Sequence, residues 1–155
     1  TVYSPNQVFR LTKRKYSDKL SGIGAAKFGN RWNSKGVEMI YTSSSRALAM
    51  AEVLVHLPPR LIPKDYVMMT IAIPKSSLAI LPMEKLHKDW DSLPPSKSAQ
   101  QLGDQFCEAN KALLFKVPSA VVKGDFNFLI YPHHKDFNKL KIVEVIDFKF
   151  DERIV

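Results

Sequence analysis

The sequence predicts one α+β domain over residues 1–155, built on a mixed, irregular sheet with flanking helices. Its 155 residues are 45% hydrophobic and 25% charged, which is typical of a single globular domain. Segments with strand and helix periodicity follow one another as strand, loop, strand, helix, strand, helix and three strands. We find no internal repeat and no linker-like segment in the chain.

The first half of the chain is predicted to contain two strands and one helix. In the first strand, alternation places Val8 and Arg10 on one face and Phe9 and Leu11 on the other. The helix is expected to start after three serines that are N-cap candidates and to stop at two prolines. In order, the elements are a strand at 7–11, a glycine-rich loop at 21–36, a strand at 37–42 and a helix at about 46–57.

The second half is predicted to contain one buried strand, one helix and three closing strands. Residues 66–73 are almost continuously apolar, which indicates a strand covered on both faces. A polar connection over 82–95 follows, with Trp90 as its expected anchor. The remaining elements are a helix from 96 or 98 to 114 and strands at 117–123, 127–131 and 140–150.

Charge and cysteine content limit the partners and the compartment. The formal net charge of +8 attracts nucleic acid, phosphorylated metabolites or an acidic protein, and a merely soluble basic surface is the alternative. The single cysteine, Cys107, excludes an internal disulfide and a cysteine-built zinc site, so we expect a reducing cytoplasm. Its apolar helical spacing predicts packing. No apolar run approaches the roughly 20 residues that span a bilayer, so no membrane partner is expected.

Several common catalytic motifs are missing from the sequence. Gly22 and Gly24 are followed by Lys27 where a dinucleotide-binding turn needs glycine. The sequence contains neither a phosphate-loop lysine motif nor a Gly-x-Ser-x-Gly nucleophile elbow. The four histidines lack metal-ligand spacing and partner cysteines, so no metal is predicted.

The most informative residue is Glu52, which lies in a predicted helix that is apolar on every face and is therefore expected to be buried. A lone buried carboxylate is costly unless it is paired or hydrogen-bonded. Two interpretations stay open. One is a structural Glu–Arg pair that joins helix and sheet, and the other is a carboxylate held at a pocket floor for use on a substrate.

Four other polar residues stand where a cleft can form. Arg31 lies in the glycine-rich loop, where its guanidinium suits a phosphate group, although a solvated loop arginine is the simpler interpretation. Tyr41 ends the second predicted strand, and core packing is its alternative role. Ser119 and Asn127 begin late strands, where polar groups can point into a cleft.

Five short segments occur in order along the chain: 29–36 (GNRWNSKG), 40–42 (IYT), 47–56 (ALAMAEVLVH), 117–122 (VPSAVV) and 127–130 (NFLI). Together they resemble the RES domain, and the resemblance covers nearly the whole chain. The motifs are individually short but jointly specific. The family is named for an Arg, a Glu and a Ser, which fall here on Arg31, Glu52 and Ser119.

The resemblance implies the toxin half of a bacterial toxin–antitoxin pair, with a fold like that of ADP-ribosyltransferases. It implies NAD⁺ as the substrate, with no further cofactor. On this hypothesis, Glu52 stabilises the positive charge that develops on the ribose when nicotinamide leaves. Arg31 is expected to bind the pyrophosphate or the ribose side, with Arg10 as a second cationic contact, and Tyr41 to stack on or orient the nicotinamide end. Ser119 is expected to hydrogen-bond nicotinamide or ribose, with support from Asn127.

Two other functions stay open. A basic RNA-binding or ribonuclease toxin would use the cluster at 13–15 and exposed aromatic residues such as Trp32 on a phosphate backbone. A non-catalytic scaffold would use Glu52 and Arg31 as a buried structural pair. For the NAD⁺ reaction, the ADP-ribose acceptor is open between water, phosphate and a protein side chain.

The expected protein partner is an antitoxin with an Xre-like helix-turn-helix, through which alone the toxin would meet DNA. We expect this antitoxin to block the mouth of the cleft, where Lys27, Arg31 and Lys35 are predicted to lie. Sheet edges and apolar loops also make a homodimer plausible.

Overall fold

Seven strands and three helices form the framework of the computed structural model, which describes residues 5–75 and 77–154. Residues 1–4, 76 and 155 of the predicted domain lie outside the described residues. The strands are β1 (Gln7–Lys13), β2 (Ile40–Ser43), β3 (Tyr66–Ala72), β4 (Leu78–Ile80), β5 (Leu114–Pro118), β6 (Phe126–Ile130) and β7 (Lys141–Phe148). The helices are α1 (Ile23–Phe28), α2 (Arg46–Leu54) and α3 (Lys97–Ala109). In this described part, no helix is both long and apolar enough to cross a membrane.

All seven strands belong to one sheet, in the order β4-β5-β6-β2-β1-β3-β7. Strands β4 and β5 run parallel, and the other neighbouring pairs are antiparallel. A single mixed sheet with helices packed on it confirms the predicted α+β class.

Helices α2 and α3 pack on the same face of this sheet. Phe115 and Leu129 are paired across β5 and β6, and Phe106 of α3 stacks on Phe115 with ring centroids 4.6 Å apart. The registers of β6, β2 and β1 place Phe9 on the same side, where it packs with Ala49 of α2. The opposite face is buried by a second apolar cluster, formed by Val8, Ile40, Ile71, Ile73, Leu113, Leu114, Phe128 and Ile130.

The sheet is weakest between β1 and β2. In the described chain these strands pair at one position only, Phe9 with Ser43. The Arg10 side chain reaches across, and its Nη1 donates a 2.8 Å hydrogen bond to the Tyr41 carbonyl oxygen. A charged side chain therefore continues the connection where the backbone ladder stops.

Three elements differ from the sequence prediction. The predicted loop at 21–36 contains α1. This short helix was not predicted because glycines, Gly22 and Gly29, flank it on both sides. Strand β4 was not predicted, because it is only three residues long. Helix α3 ends at Ala109 rather than at 114, because Asn110 adopts a left-handed conformation with φ of 50°.

The remaining differences concern where elements begin and end. After Asn110 the chain turns into β5, so the strand predicted at 117–123 lies at Leu114–Pro118 instead. Strand β2 begins at Ile40 rather than 37, because the Val37 carbonyl accepts a hydrogen bond from the Asn33 amide instead of a ladder partner. Helix α2 ends at Leu54, and backbone hydrogen bonds between residues three apart form further turns up to Leu57.

Helix α3 contacts the loop before β2 at Gly103. A Cβ atom built at this glycine would lie 1.6 Å from the carbonyl oxygen of Trp32, which is a backbone contact that cannot rotate away. Trp32 is itself buried, with 2% exposure. The missing side chain at 103 therefore sets how closely α3 approaches the loop that carries Arg31.

We predict that Gly103→Ala lowers the free energy of unfolding by at least about 2 kcal/mol, because the helix or the loop must shift. The matched control is Gly24→Ala in α1, where an added Cβ meets nothing within 4 Å. That substitution should be neutral or stabilise by up to about 1 kcal/mol. Urea denaturation measures both, and equal stability of the two variants would contradict the close contact.

Candidate active site

A cavity of about 840 Å³ opens between α2, the loop before β2 and the ends of β2 and β6. This volume is in the range of small-molecule sites. The cavity is bordered by five of the six residues that the sequence predicted, namely Arg10, Arg31, Tyr41, Glu52 and Asn127. The sixth, Ser119, lies behind Glu52 and is buried, with 2% exposure. The fold therefore gathers all six from positions up to 117 residues apart.

The Glu52 carboxylate receives two hydrogen bonds on the same oxygen. The Ser119 hydroxyl and the Asn127 amide nitrogen each donate to Oε2 at 2.7 Å. Among the described residues, the other oxygen, Oε1, has no hydrogen-bond or ion-pair partner. One oxygen is thus held by the protein, and the other is available to a ligand in the cavity.

The Ser119 hydroxyl is oriented by the backbone. The amide groups of Val121 and Val122 donate to its oxygen at 3.1 and 3.0 Å. Because both acceptor positions of the hydroxyl are occupied, its hydrogen is directed to Glu52. The sequence placed Ser119 at the start of a strand, but β5 ends at Pro118 and Ser119 lies in the turn that follows it; its link to Glu52 was implied only by the family resemblance.

Asn127 is held by a residue that the sequence analysis did not assign to the site. The Ser43 hydroxyl donates to Asn127 Oδ1 at 2.7 Å, and the two residues face each other across β2 and β6. Ser43 was considered only as an N-cap candidate, but the cap of α2 is Ser45, whose oxygen accepts from the Leu48 amide. Strand alternation was the available signal, because it puts Ser43 on the same face as Tyr41.

Arg31 joins the cavity to the connection at 82–95. Its Nη1 donates to the carbonyl oxygens of Trp90 and Ser92 at 2.9 and 3.0 Å. Trp90 is partly buried and stacks on Trp32 with ring centroids 5.9 Å apart, which confirms it as the anchor of this connection. The guanidinium is therefore fixed at the cavity by backbone carbonyls.

Arg10 is the second cation of the cavity, and burial lowers the pKa of its guanidinium. Within residues 5–75 and 77–154, neither Arg10 nor Arg31 forms an ion pair with a carboxylate. The hypothesis of a structural Glu52–Arg31 pair is therefore wrong, because Glu52 is bonded to Ser119 and Asn127 instead. Two cations without carboxylate partners favour an anionic ligand.

Tyr41 combines core packing with a role in the loop. Its hydroxyl donates to Asn33 Oδ1 at 2.6 Å and accepts from the Trp32 amide at 3.0 Å. Burial raises the pKa of the phenol, so the hydroxyl stays protonated. Asn33 in turn donates to the Ala25 and Val37 carbonyls. The hydroxyl thus holds the residues that follow Arg31, while the tyrosine borders the cavity.

Two predictions about burial are wrong in this region. Helix α2 is not enclosed on all sides, since only Leu48 and Ala49 are buried and Val55, just beyond it, is 56% exposed. The reason is that α2 lies at the border of the cavity. Ala49 packs against Phe9 of β1, whereas Val53 and Val55 line the open cavity. Trp32 is buried in the core rather than exposed, so it offers no surface for stacking of RNA bases.

The predicted basic rim is also smaller than expected. Of the three cations predicted at the mouth of the cleft, Arg31 borders the cavity. Lys27 and Lys35 are exposed and do not border it. The short helix α1 carries Lys27 away from the cavity, and its ammonium lies over the ring of Phe28. Cys107 packs in the core as predicted, and burial raises the pKa of its thiol to about 12.

The chain is similar to known proteins over nearly its whole length. The family model of the RES domain matches residues 7–151. A "Toxin Res" of Photorhabdus laumondii is 35% identical over 96% of this chain and 96% of its own length. A "Prs ADP-ribosylating toxin" of a Sphingobium species is 34% identical over 90% of this chain and 88% of its own length.

A solved structure shares the fold. It is the crystal structure of the M. tuberculosis MbcT–MbcA toxin–antitoxin complex, in which the matched chain superposes with a TM-score of 0.74 at 21% sequence identity. The match covers 93% of this chain and 84% of the other. With a family model matching almost from end to end and relatives above 30% identity, the chain belongs to the RES domain family.

Proposed function

We propose that this protein is the toxin of a toxin–antitoxin pair and that it cleaves the nicotinamide–ribose bond of NAD⁺ in the cytoplasm. The observation that carries the proposal is the Glu52 carboxylate, which borders a cavity containing two arginines and is held on Oε2 by two donors, while Oε1 has no partner among the described residues. The names of relatives, which include a toxin described as ADP-ribosylating, support it.

The reaction needs a negative charge beside the ribose. When the bond between nicotinamide and C1′ breaks, both electrons leave with nicotinamide, which departs as a neutral molecule. Positive charge then appears on the ribose ring, as in the cleavage of glycosides. A fixed carboxylate in a partly buried site stabilises that charge without having to reorganise. Glu52 Oε1 is the group that we assign to this role.

The two arginines suit the other half of the substrate. Both hydrogens of Arg31 Nη1 are taken by the Trp90 and Ser92 carbonyls, which leaves Nη2 and Nε to contact a ligand. Arg10 adds a half-buried positive charge at the gap between β1 and β2. Together they offer charge-assisted hydrogen bonds to the pyrophosphate. Tyr41 acts on this subsite by holding the loop after Arg31.

The acceptor completes the reaction by supplying an electron pair to C1′ and releasing a proton. Water gives ADP-ribose, phosphate gives a phosphorylated ADP-ribose, and a protein side chain gives an ADP-ribosylated protein. Mass spectrometry of the products, with and without phosphate and with cell extract, identifies the acceptor.

We predict that Glu52→Gln lowers NAD⁺ turnover about 100-fold or more, because the charge that stabilises the ribose cation is lost. The fold should survive, since an amide oxygen still accepts from Ser119 and Asn127. Chromatography of NAD⁺ measures turnover, and a thermal melt checks the fold.

Two results of this experiment would contradict the assignment. One is wild-type NAD⁺ turnover by Glu52→Gln, and the other is unfolding of that variant, which would make Glu52 structural. Total RNA is incubated in parallel with the wild-type protein, and its loss together with intact NAD⁺ would favour the ribonuclease alternative.

We predict that Arg31→Ala raises KM for NAD⁺ by about tenfold or more, because charge-assisted hydrogen bonds to the pyrophosphate are lost. Lys35→Ala is the matched control, since it removes one exposed positive charge from the same loop without touching the cavity. Steady-state kinetics at fixed salt separate the two. Equal increases in KM would mean that only the overall charge matters.

The proposed partner is an antitoxin of the Xre-like helix-turn-helix type, which would also supply any contact with DNA. Exposed apolar side chains stand at the border of the cavity, with Val55 at 56% and Leu93 at 77% exposure. An antitoxin that buries them would cover Arg31 as well. Mass measurement of the complex would give its stoichiometry and test for the homodimer of the toxin.

We predict that saturating antitoxin abolishes NAD⁺ binding. Calorimetric titration of NAD⁺ into the preformed complex measures it, and the Glu52→Gln toxin is used so that no substrate is consumed. Because the cavity border would be covered, Arg31→Ala should weaken the complex, whereas Lys27→Glu, which changes a residue outside the cavity, should weaken it less. Undiminished NAD⁺ affinity in the complex would place the antitoxin on another face.

A further inference from the structure

We infer that Ser43 is a positioning residue of this site, which acts through Asn127 to decide how Glu52 faces the substrate. Ser43 is buried, with 4% exposure, at the end of β2. Its hydroxyl donates to Asn127 Oδ1 at 2.7 Å, and Asn127 Nδ2 donates to Glu52 Oε2 at 2.7 Å. The kinetic test of this role uses NAD⁺ cleavage and therefore rests on the proposed function.

The hydrogen-bond polarity of this network is set at its Glu52 end, because a carboxylate oxygen can only accept. An amide accepts on its oxygen and donates from its nitrogen, so a hydroxyl that donates to Oδ1 leaves the NH₂ group to face the carboxylate. The reversed amide would place Oδ1 against a negative oxygen. Ser43 therefore stabilises the one orientation of Asn127 that supports Glu52.

The two donors to Glu52 are secured in different ways. Ser119 is held by two backbone amides, those of Val121 and Val122. Among the residues that the structure describes, the Asn127 side chain has one hydrogen bond besides the one to Glu52, and it comes from Ser43. Without that hydroxyl, the half-buried Asn127 Oδ1 loses its protein partner, or the amide rotates to find another one. Either change weakens the hydrogen bond from Asn127 to Glu52 Oε2. The orientation of the carboxylate, and with it the position of Oε1, is then no longer fixed.

The test is a double-mutant cycle between Ser43→Ala and Asn127→Ala, with kcat and KM for NAD⁺ as readouts. Ser43→Ala is expected to lower kcat about fivefold, the equivalent of one neutral hydrogen bond, with KM nearly unchanged because the arginines are untouched. In the Asn127→Ala background, Ser43→Ala should change nothing further. Ser43→Thr keeps the hydroxyl and should restore kcat.

The matched control for a merely structural effect is Ser45→Ala, which removes a serine hydroxyl two residues away from the cap of α2. It should lower the melting temperature at least as much as Ser43→Ala while leaving kcat within about twofold of the wild type. Unchanged kcat in Ser43→Ala, or the same loss in both backgrounds, would overturn the inference.

A measurement that needs no turnover separates this inference from the proposed function. In ¹⁵N NMR spectra, the side-chain amide signals of Asn127 should shift and exchange faster with water in Ser43→Ala, and should keep their positions in Ser45→Ala. If the wild-type protein leaves NAD⁺ intact but these signals respond, the proposed reaction fails and the positioning role stands. If the signals are unaffected by Ser43→Ala, the positioning role fails.

Discussion

The pair of hydrogen bonds to Glu52 Oε2 is the interaction on which the rest of the site depends. A partly buried carboxylate needs donors, and the donors here lie 67 and 75 residues further along the chain. They meet α2 only because β5, β6 and β2 are neighbours in the sheet. The strand order therefore brings together the two donors that allow Glu52 to stay charged in a partly buried site.

The cavity is bordered by charges of both signs, and each charged group is held by hydrogen bonds within the protein. The Glu52 carboxylate is held on one oxygen by the Ser119 and Asn127 side chains, and the two guanidinium groups are fixed by carbonyl oxygens of Tyr41, Trp90 and Ser92. Such a pocket suits a substrate that is anionic at one end and becomes cationic at the other during the reaction. The fixed geometry means that neither charge is neutralised by the other.

Local chemistry in the sequence explains why Glu52 and Arg31 were predicted and Ser43 was missed. A carboxylate in an apolar helix and an arginine among glycines each conflict with their surroundings, and such conflict indicates function. A serine at a strand end conflicts with nothing, and its partner in β6 is 84 residues away. The strand pattern predicted the α+β class, but the burial of α2 and Trp32 depended on which elements meet across the sheet. The apolar stretch at 112–115 was assigned to the helix, because a short apolar run fits a buried strand and a helix end equally well.

The gap between β1 and β2 divides the sheet into two halves, which in the described part of the chain are joined by one backbone pair, the Arg10 hydrogen bond and the apolar cluster that contains Val8, Ile40 and Ile71. The cavity lies across this seam, with Phe9 and Leu11 from one half and Tyr41 and Asn127 from the other at its border. A molecule that fills the cavity would contact both halves. Occupancy is therefore expected to stabilise the folded protein as well as engage the chemistry of the site.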